Sequence, residues 1–429
     1  MKRATRRLAI VGLTLLGMAV GPLAPAQNGE GKSRVTFYKD VLPILQENCQ
    51  VCHRPIGMNA GGMIAPMSFM TYAEVRPWAK AIARQVEART MPPWFATHEF
   101  NGLFSNERTL TDDEILTMVD WVETGASRGS PKDAPAEREF IEGASDGWSI
   151  GEPDLVLSME PFFVEDDVVD LNISFQTVLT EAEVPEDRWV QAIEYKAGSE
   201  CVHHICNSAV APDDRTDLEA FERNGLGCIA PGTDARAVPD GYGTFLPKGA
   251  TIRWGMHYHK EAGPGTGVWD RSSLALKFHD TEVTHPLKVD AIAHGAFEIP
   301  PENPNWHVGA ARVFEKATTI LAYMPHLHLR GKEAKYTAYY PDGTSEVLLH
   351  VPEYDFNWQI SYEYKALKHI PAGTRVEFEM WYDNSAEKAA TVGFNAQRPV
   401  SFGGPTWDEM DLGWLTHCDT EPVVQAAGD

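Results

Sequence analysis

Thr251-Ile-Arg-Trp-Gly-Met-His-Tyr-His259 concentrates β-branched and aromatic residues in nine positions, and Thr318-Thr-Ile-Leu-Ala-Tyr323 and Arg375-Val-Glu-Phe-Glu-Met-Trp-Tyr382 repeat the theme. Short runs of this kind, punctuated by Gly, Pro and Asp, predict the strands of an antiparallel β-sandwich. They recur from residue 151 to about residue 420. That is enough chain for two sandwiches, placed at 151–290 and 291–420.

The chain before residue 151 has a different period. Val41, Leu42, Ile44 and Leu45 give one apolar face, with Pro43 confined to a first helical turn or distorting it. Val75, Trp78, Ile82 and Val86 form a helical stripe. Thr111-Asp-Asp-Glu114 reads as a capping box, followed by Ile115, Val119 and Val122 as a buried face and Gly125 at the C-terminal cap. Residues 129–150 are rich in Pro, Gly, Ser and acids and read as a linker. Cys49-Gln-Val-Cys52-His53 places two thiols for thioether bonds to a haem and an imidazole for its iron. Met91, stiffened by Pro92, is the expected sixth ligand, with Met58, Met63, Met67 and Met70 as alternatives. The expected fold class is therefore multidomain: an all-α cytochrome c domain at 35–128, then two antiparallel, jelly-roll-like β-sandwiches.

With 43% hydrophobic and 23% charged residues, the 429-residue chain has the make-up of a globular protein of more than one domain. Residues 1–26 read as an export signal: Lys2, Arg3, Arg6 and Arg7, an apolar run from Leu8 to Val20, and Ala24-Pro25-Ala26 for cleavage. The apolar run is shorter than the ~20 residues that span a bilayer, so the expectation is a periplasmic or secreted protein without stable membrane insertion. Removing those four cations takes the formal charge from -24 to -28, which argues against nucleic acid as a partner. Cys201, Cys206, Cys228 and Cys418 remain for disulfides. Three pairings are possible, and Cys206 with Cys228 is favoured across a polar loop.

The second half of the chain carries soft-metal ligands. On a strand, His326 and His328 point to one face and can share an ion. A methionine thioether such as Met410 would complete a set that selects copper over zinc. His203 and His204 are adjacent, so they can share an ion only at a bulge or strand end, with His257 or His259 as a third imidazole. His279, His285, His294, His350 and His369 read as ordinary structural histidines.

These motifs resemble the type II copper, ascorbate-dependent monooxygenases, the family of peptidylglycine α-hydroxylating and dopamine β-monooxygenases. The likeness rests on Cys201-Val-His-His-Ile-Cys206, Gly255-Met-His-Tyr258, His326-Leu-His-Leu-Arg-Gly-Lys332 and Asp408-Glu-Met410. It implies two sandwiches facing each other across a solvent-filled cleft, each with one copper. His203, His204 and His257 would hold an electron-storing ion, and His326, His328 and Met410 an oxygen-binding, catalytic one. It also implies that Met324, Leu412 and Trp414 occupy the positions where the peptide-hydroxylating member clamps a substrate carboxylate. A carboxylate buried there would lack a charged partner, so a neutral or apolar small molecule is the expected substrate.

The expected function is thus a copper monooxygenase with two copper ions and one covalently bound haem c. O2 and a small-molecule substrate would be its partners, with electrons from a periplasmic donor or an ascorbate-like reductant. Two rivals stand beside it: a non-catalytic copper-binding or electron-transfer protein, and a sugar- or matrix-binding sandwich.

Overall fold

The computed structural model describes residues 34–54, 65, 67–140, 147–180, 182–212, 225–230, 233 and 235–421. The expected export signal at 1–26, and Met58 and Met63, lie outside them. No described helix is long and apolar enough to cross a membrane.

Two pairs of sheets dominate the chain. In the first, the strands Leu155–Ser158, Ser273–Phe278, Arg188–Lys196 and Tyr242–Leu246 pack on Asp170–Val178, Thr251–His259, Val202–Val210 and Gly225–Ile229. Leu157, Ile193, Leu274 and Leu276 from one sheet meet Ile205, Ile252, Trp254 and Met256 from the other. In the second, Lys288–Ile292, Leu412–Asp419, Thr318–His326 and Tyr362–Ile370 face Trp306–Phe314, Thr374–Tyr382, Gly331–Tyr339 and Ser345–Val351. Ile320, Tyr323 and Leu415 close that core against Tyr336, Phe378 and Met380. Gly413 lacks a side chain because the Phe378 ring fills its place, 2.5 Å from where a Cβ would sit. Pairing among the strands of these four sheets is antiparallel, while His285–Pro286 runs parallel to Tyr242–Leu246.

The strand Thr318–His326 is buried along its whole length. Ile320 and Tyr323 belong to the sandwich core, while a bulge between Ile320 and Ala322 sets the face of Ala322, Met324 and His326 away from it. That second face meets the first sandwich. A strand buried on both sides needs a near-continuous apolar sequence, as Thr-Thr-Ile-Leu-Ala-Tyr-Met-Pro provides.

The helical expectation for residues 35–128 needs correction. Strands make up 39% of the structure and helices 15%, and the described residues form no all-α cytochrome c domain. Short helices do form at Leu42–Asn48, Tyr72–Val75, Ala79–Glu87 and Asp112–Glu123. Pro43 sits in the first turn of its helix, and Thr111 and Glu114 close the capping box, a contact whose loss costs about 1 kcal/mol. These helices share a small core around Phe37, Leu45, Val86 and Trp121, but the segment between the last two helices leaves it. Trp94, Ala96, Phe100 and Phe104 are part of the second sandwich's apolar core, Trp94 lying edge-on to Tyr362 at 4.9 Å. Pro92, Pro93 and Gly102 break the helical period there, and the apolar residues between them cover the sheet instead. From Val35 onward the chain is one compact unit.

Candidate metal centre

The Val202–Val210 strand shifts register against Thr251–His259 between Val202 and His204: Val202 pairs with Tyr258, and His204 with His257. His203 is the extra, bulged residue, and the bulge turns two adjacent imidazoles toward one point. His203, His204 and His257 each offer a ring nitrogen within 4.8 Å of the others. Ring centroids are 4.6 Å apart for His204 and His257 and 5.1 Å for His203 and His257. His259 is more exposed and stands 6.2 Å from His203.

Four nitrogens of this trio, both of His203 and the Nδ1 atoms of His204 and His257, are buried without a hydrogen-bond partner. Orphaned buried nitrogens are costly, and lone pairs converging on one point are what a metal ion satisfies. Burial, then the neighbouring histidines, holds the His203 and His204 pKa values well below the ordinary imidazole range. Both are therefore neutral near pH 7, as metal ligation requires.

His326 and His328 lie on one face, with centroids 5.2 Å apart. His326 Nδ1 bonds Gln359 Oε1 at 2.6 Å and His328 Nδ1 bonds the Asp408 carbonyl at 3.3 Å, which leaves both Nε2 atoms for an ion. Burial pushes the His326 imidazole down to about 4 and depresses His328 strongly as well. His326 is paired with Leu412 at the end of its ladder. Met410 lies two residues before Leu412, past the end of that ladder, next to Glu409, which bonds the His328 backbone. The loop is fixed there: the Glu409 carboxylate accepts the His328 and Arg330 backbone N–H groups at 2.8 and 2.6 Å, and the Tyr382 hydroxyl donates to the Met410 carbonyl at 2.7 Å. Arg330 is fully buried, spanning Asn384 Oδ1, the Trp407 carbonyl and the Phe394 ring. Burial pushes the Glu409 carboxyl up to about 8, opposed by those N–H groups and the Arg330 charge.

Among the described residues the two ligand sets meet directly and are not parted by the expected solvent-filled cleft. His204 and His326 are 5.6 Å apart, centroid to centroid, and Phe356 of the second sandwich stacks on His203 at 4.3 Å. The cause is the doubly buried strand, whose second face docks directly on the first sandwich. Asp170 ties the junction together. It accepts from His257 Nε2 at 3.1 Å, from His259 at 3.4 Å and, across the junction, from the Thr406 hydroxyl at 2.6 Å. Burial raises its pKa, but these three donors outweigh burial and hold the carboxyl far below the usual carboxylate range. Sequence reading missed Asp170, Gln359, Glu409, Arg330 and Phe356. Glu409 and Arg330 sit inside quoted motifs, whereas nothing marks Asp170 or Gln359.

Met324 and Trp414 are cross-strand partners one pair away from His326 and Leu412 on the same ladder face. His279, His285, His350 and His369 each hydrogen-bond a neighbour, as structural histidines do.

At the other candidate site, Cys49 and Cys52 are not joined in a disulfide. His53 Nδ1 bonds the Met67 carbonyl at 3.1 Å and Phe69 stacks on the ring at 4.1 Å, leaving Nε2 as the ligand atom. Burial, then Cys52 and Glu114, pushes the Cys49 thiol up to about 12. Met91 is 37% exposed and lines a separate surface depression with Val86, Trp94 and Leu110. The Cys206–Cys228 disulfide is formed, as the polar loop between the two cysteines favoured.

No family model matches this chain, and no curated protein does. Among solved structures, the infectious bursal disease virus VP2 subviral particle aligns at 10% identity and a TM-score of 0.20, over 62% of this chain and 72% of that one. The structure of infectious bursal disease virus Gx strain aligns at 9% identity and a TM-score of 0.14, over 61% and 71%. Similarity at this level carries no argument about either fold or function.

Proposed function

We propose that this chain is an exported copper-dependent monooxygenase, akin to the type II copper family, that hydroxylates a C–H bond of a small molecule whose reacting end is neutral or apolar. The observation that carries the reading is the convergence of four buried imidazoles and the half-buried His204 from two sandwiches, beside the Glu409 loop that carries Met410. His203, His204 and His257 would hold one copper; His326, His328 and Met410 would hold the other. Copper in such sites supplies one-electron redox chemistry and a position for O2.

The chain's own residues do the rest. Gln359 and the Asp408 carbonyl fix the His326 and His328 tautomers, and Asp170 orients His257. Phe356, packed on His203, keeps water from the junction, and Met324 and Trp414 offer an apolar surface next to His326. Hydroxylation takes two electrons per turnover. The Cys49, Cys52 and His53 loop would hold a covalent haem through its two thiols and the free His53 Nε2, and would serve as the inlet from a periplasmic donor or an ascorbate-like reductant; Met91, lining another depression, is not placed to share that group.

The 5.6 Å approach of His204 to His326 also favours a second reading, a non-catalytic paired-copper electron store. Copper analysis and turnover with isotopic O2 over a panel of hydrocarbons separate the two. The oxygenase reading expects two coppers per chain and labelled product, with Met410→Ala losing the product and one copper. Two coppers without labelled product would establish the store, and absence of stoichiometric copper would overturn both.

A further inference from the structure

A narrow cavity of about 50 Å³ lies between the two sandwiches, and it begins one residue pair from the histidine cluster on both walls. On one wall Met324 and Trp414 precede His326 and Leu412. On the other, Cys228 lines it, disulfide-bonded to Cys206, two residues beyond His204. The remaining lining is mainly apolar, including Ile193, Leu226, Ile229 and Val289. The cavity shares Arg236, Ala322, Glu363 and Thr416 with a wider surface pocket of about 380 Å³ that Lys365 also lines. The guanidinium thus stands where the two adjoin, its Nη1 3.2 Å from Thr416 Oγ1. Among the described residues it makes no ion pair.

We propose that this passage is the substrate lane and that it takes an unbranched amphiphile with an anionic end, such as an alkyl carboxylate, held by Arg236 with its apolar tail toward His326. The proposal rests on the monooxygenase reading for its chemistry but not for its binding. Bore, polarity and length argue for it. The inner cavity is small, about 50 Å³, and its mainly apolar walls offer an alkyl chain dispersion contacts. At the wider end Arg236 and Lys365 outnumber Glu363, and an arginine fork suits a carboxylate. Thr416, which fixes Arg236, is four residues along an unbroken ladder from Leu412. At a strand rise of about 3.4 Å per residue that is roughly 14 Å, the extended length of a chain of about ten carbons. The lane thereby reconciles the apolar Met324, Leu412 and Trp414 with a charged substrate, since the charge stays far from the metal.

Calorimetric titration of the copper-free full chain with decanoate, 1-decanol and decylamine tests the lane without turnover. Decanoate should bind one to one and most tightly of the three. Arg236→Gln, which can still bond Thr416, should weaken it by about tenfold to a hundredfold, the usual worth of a charge-assisted hydrogen bond. Equal affinities for the three amphiphiles, tighter decylamine, or an unchanged decanoate affinity in Arg236→Gln would overturn the proposal. Decanoate binding in a protein that takes up no copper would sink the oxygenase reading and leave the lane standing. Labelled product from hydrocarbons with no decanoate binding would do the reverse.

Discussion

Acidifying the metal-free protein should destabilise it in a window set by its buried imidazoles, and His326 provides the scale. Its pKa falls from 6.5 to about 4, by burial first, opposed by the Gln359 hydrogen bond and helped by His257. A depressed folded-state pKa means that the unfolded chain binds more protons, so stability is fully present above pH 6.5 and is lost as pH falls toward 4. At pH 5 the unfolded imidazole is almost fully protonated and the folded one about a tenth so, a difference of about 0.9 proton. Integrated from pH 7 to 5 at ~1.36 kcal/mol per unit, this one residue removes about 2 kcal/mol. His203, His204 and His328 are depressed in the same direction. Urea denaturation of chelator-treated wild type and His326→Phe at pH 7 and pH 5 reads the effect. The stability gap between the two proteins should move by about 2 kcal/mol in favour of the variant on acidification. Calorimetry in buffers of different ionisation heat should find about one proton fewer taken up on unfolding of the variant. A gap that does not change with pH would refute the view of His326 as a neutral imidazole sealed in the junction.

Asp170→Asn should weaken copper binding at the His203, His204 and His257 set by about 10- to 100-fold, because the carboxylate orients a ligand without being one. Competition with a Cu(I) chelator measures it, and an unchanged affinity would remove Asp170 from the site. Replacing Cys206 and Cys228 by Ala opens a bridge with a sequence separation of 22, which chain entropy values at about 3 kcal/mol, read as a lowered denaturation midpoint. Copper should raise thermal stability by about 4 kcal/mol at a free concentration a thousandfold above its Kd, since it satisfies nitrogens that otherwise lie buried and orphaned. A melting temperature indifferent to copper would show that the cluster is not a metal site.

What the sequence made legible follows its local periods. The Thr374–Tyr382 strand alternates in burial along its length, Thr251–His259 does so as far as Met256, and the Thr111 capping box needs only four consecutive residues. The His203-His204 pair could be predicted to require a bulge, because adjacent strand residues otherwise diverge, and the bulge is there. Contacts between elements were not legible. Trp94 and Phe104 look like residues of a helical segment until Tyr362, more than 250 positions on, is seen packing against both. Asp170 meets His257 across 87 residues and Thr406 across 236, and a lone aspartate in a polar strand carries no mark of either. The closeness of the two ligand sets was invisible for the same reason, since it depends on which face of one strand docks on the other sandwich.

That docking face links the metal centre to the lane. A strand with solvent on its outer face could place His326 and His328 at a cleft, but substrate selection would then depend on whatever residues lined open water. Because the outer face of Thr318–His326 is buried against the first sandwich, the residues in phase with His326 become walls of the cavity between the sandwiches. Met324 and Ala322 line it from the same strand, Trp414 and Thr416 from its ladder partner, and Cys228 from the facing sheet. Every second residue back from the imidazole therefore reports on the substrate at increasing distance from the metal. Bulk introduced at Met324 should then act on the position of attack, and charge changes at the Arg236 end on affinity, as the period-two geometry of one strand requires.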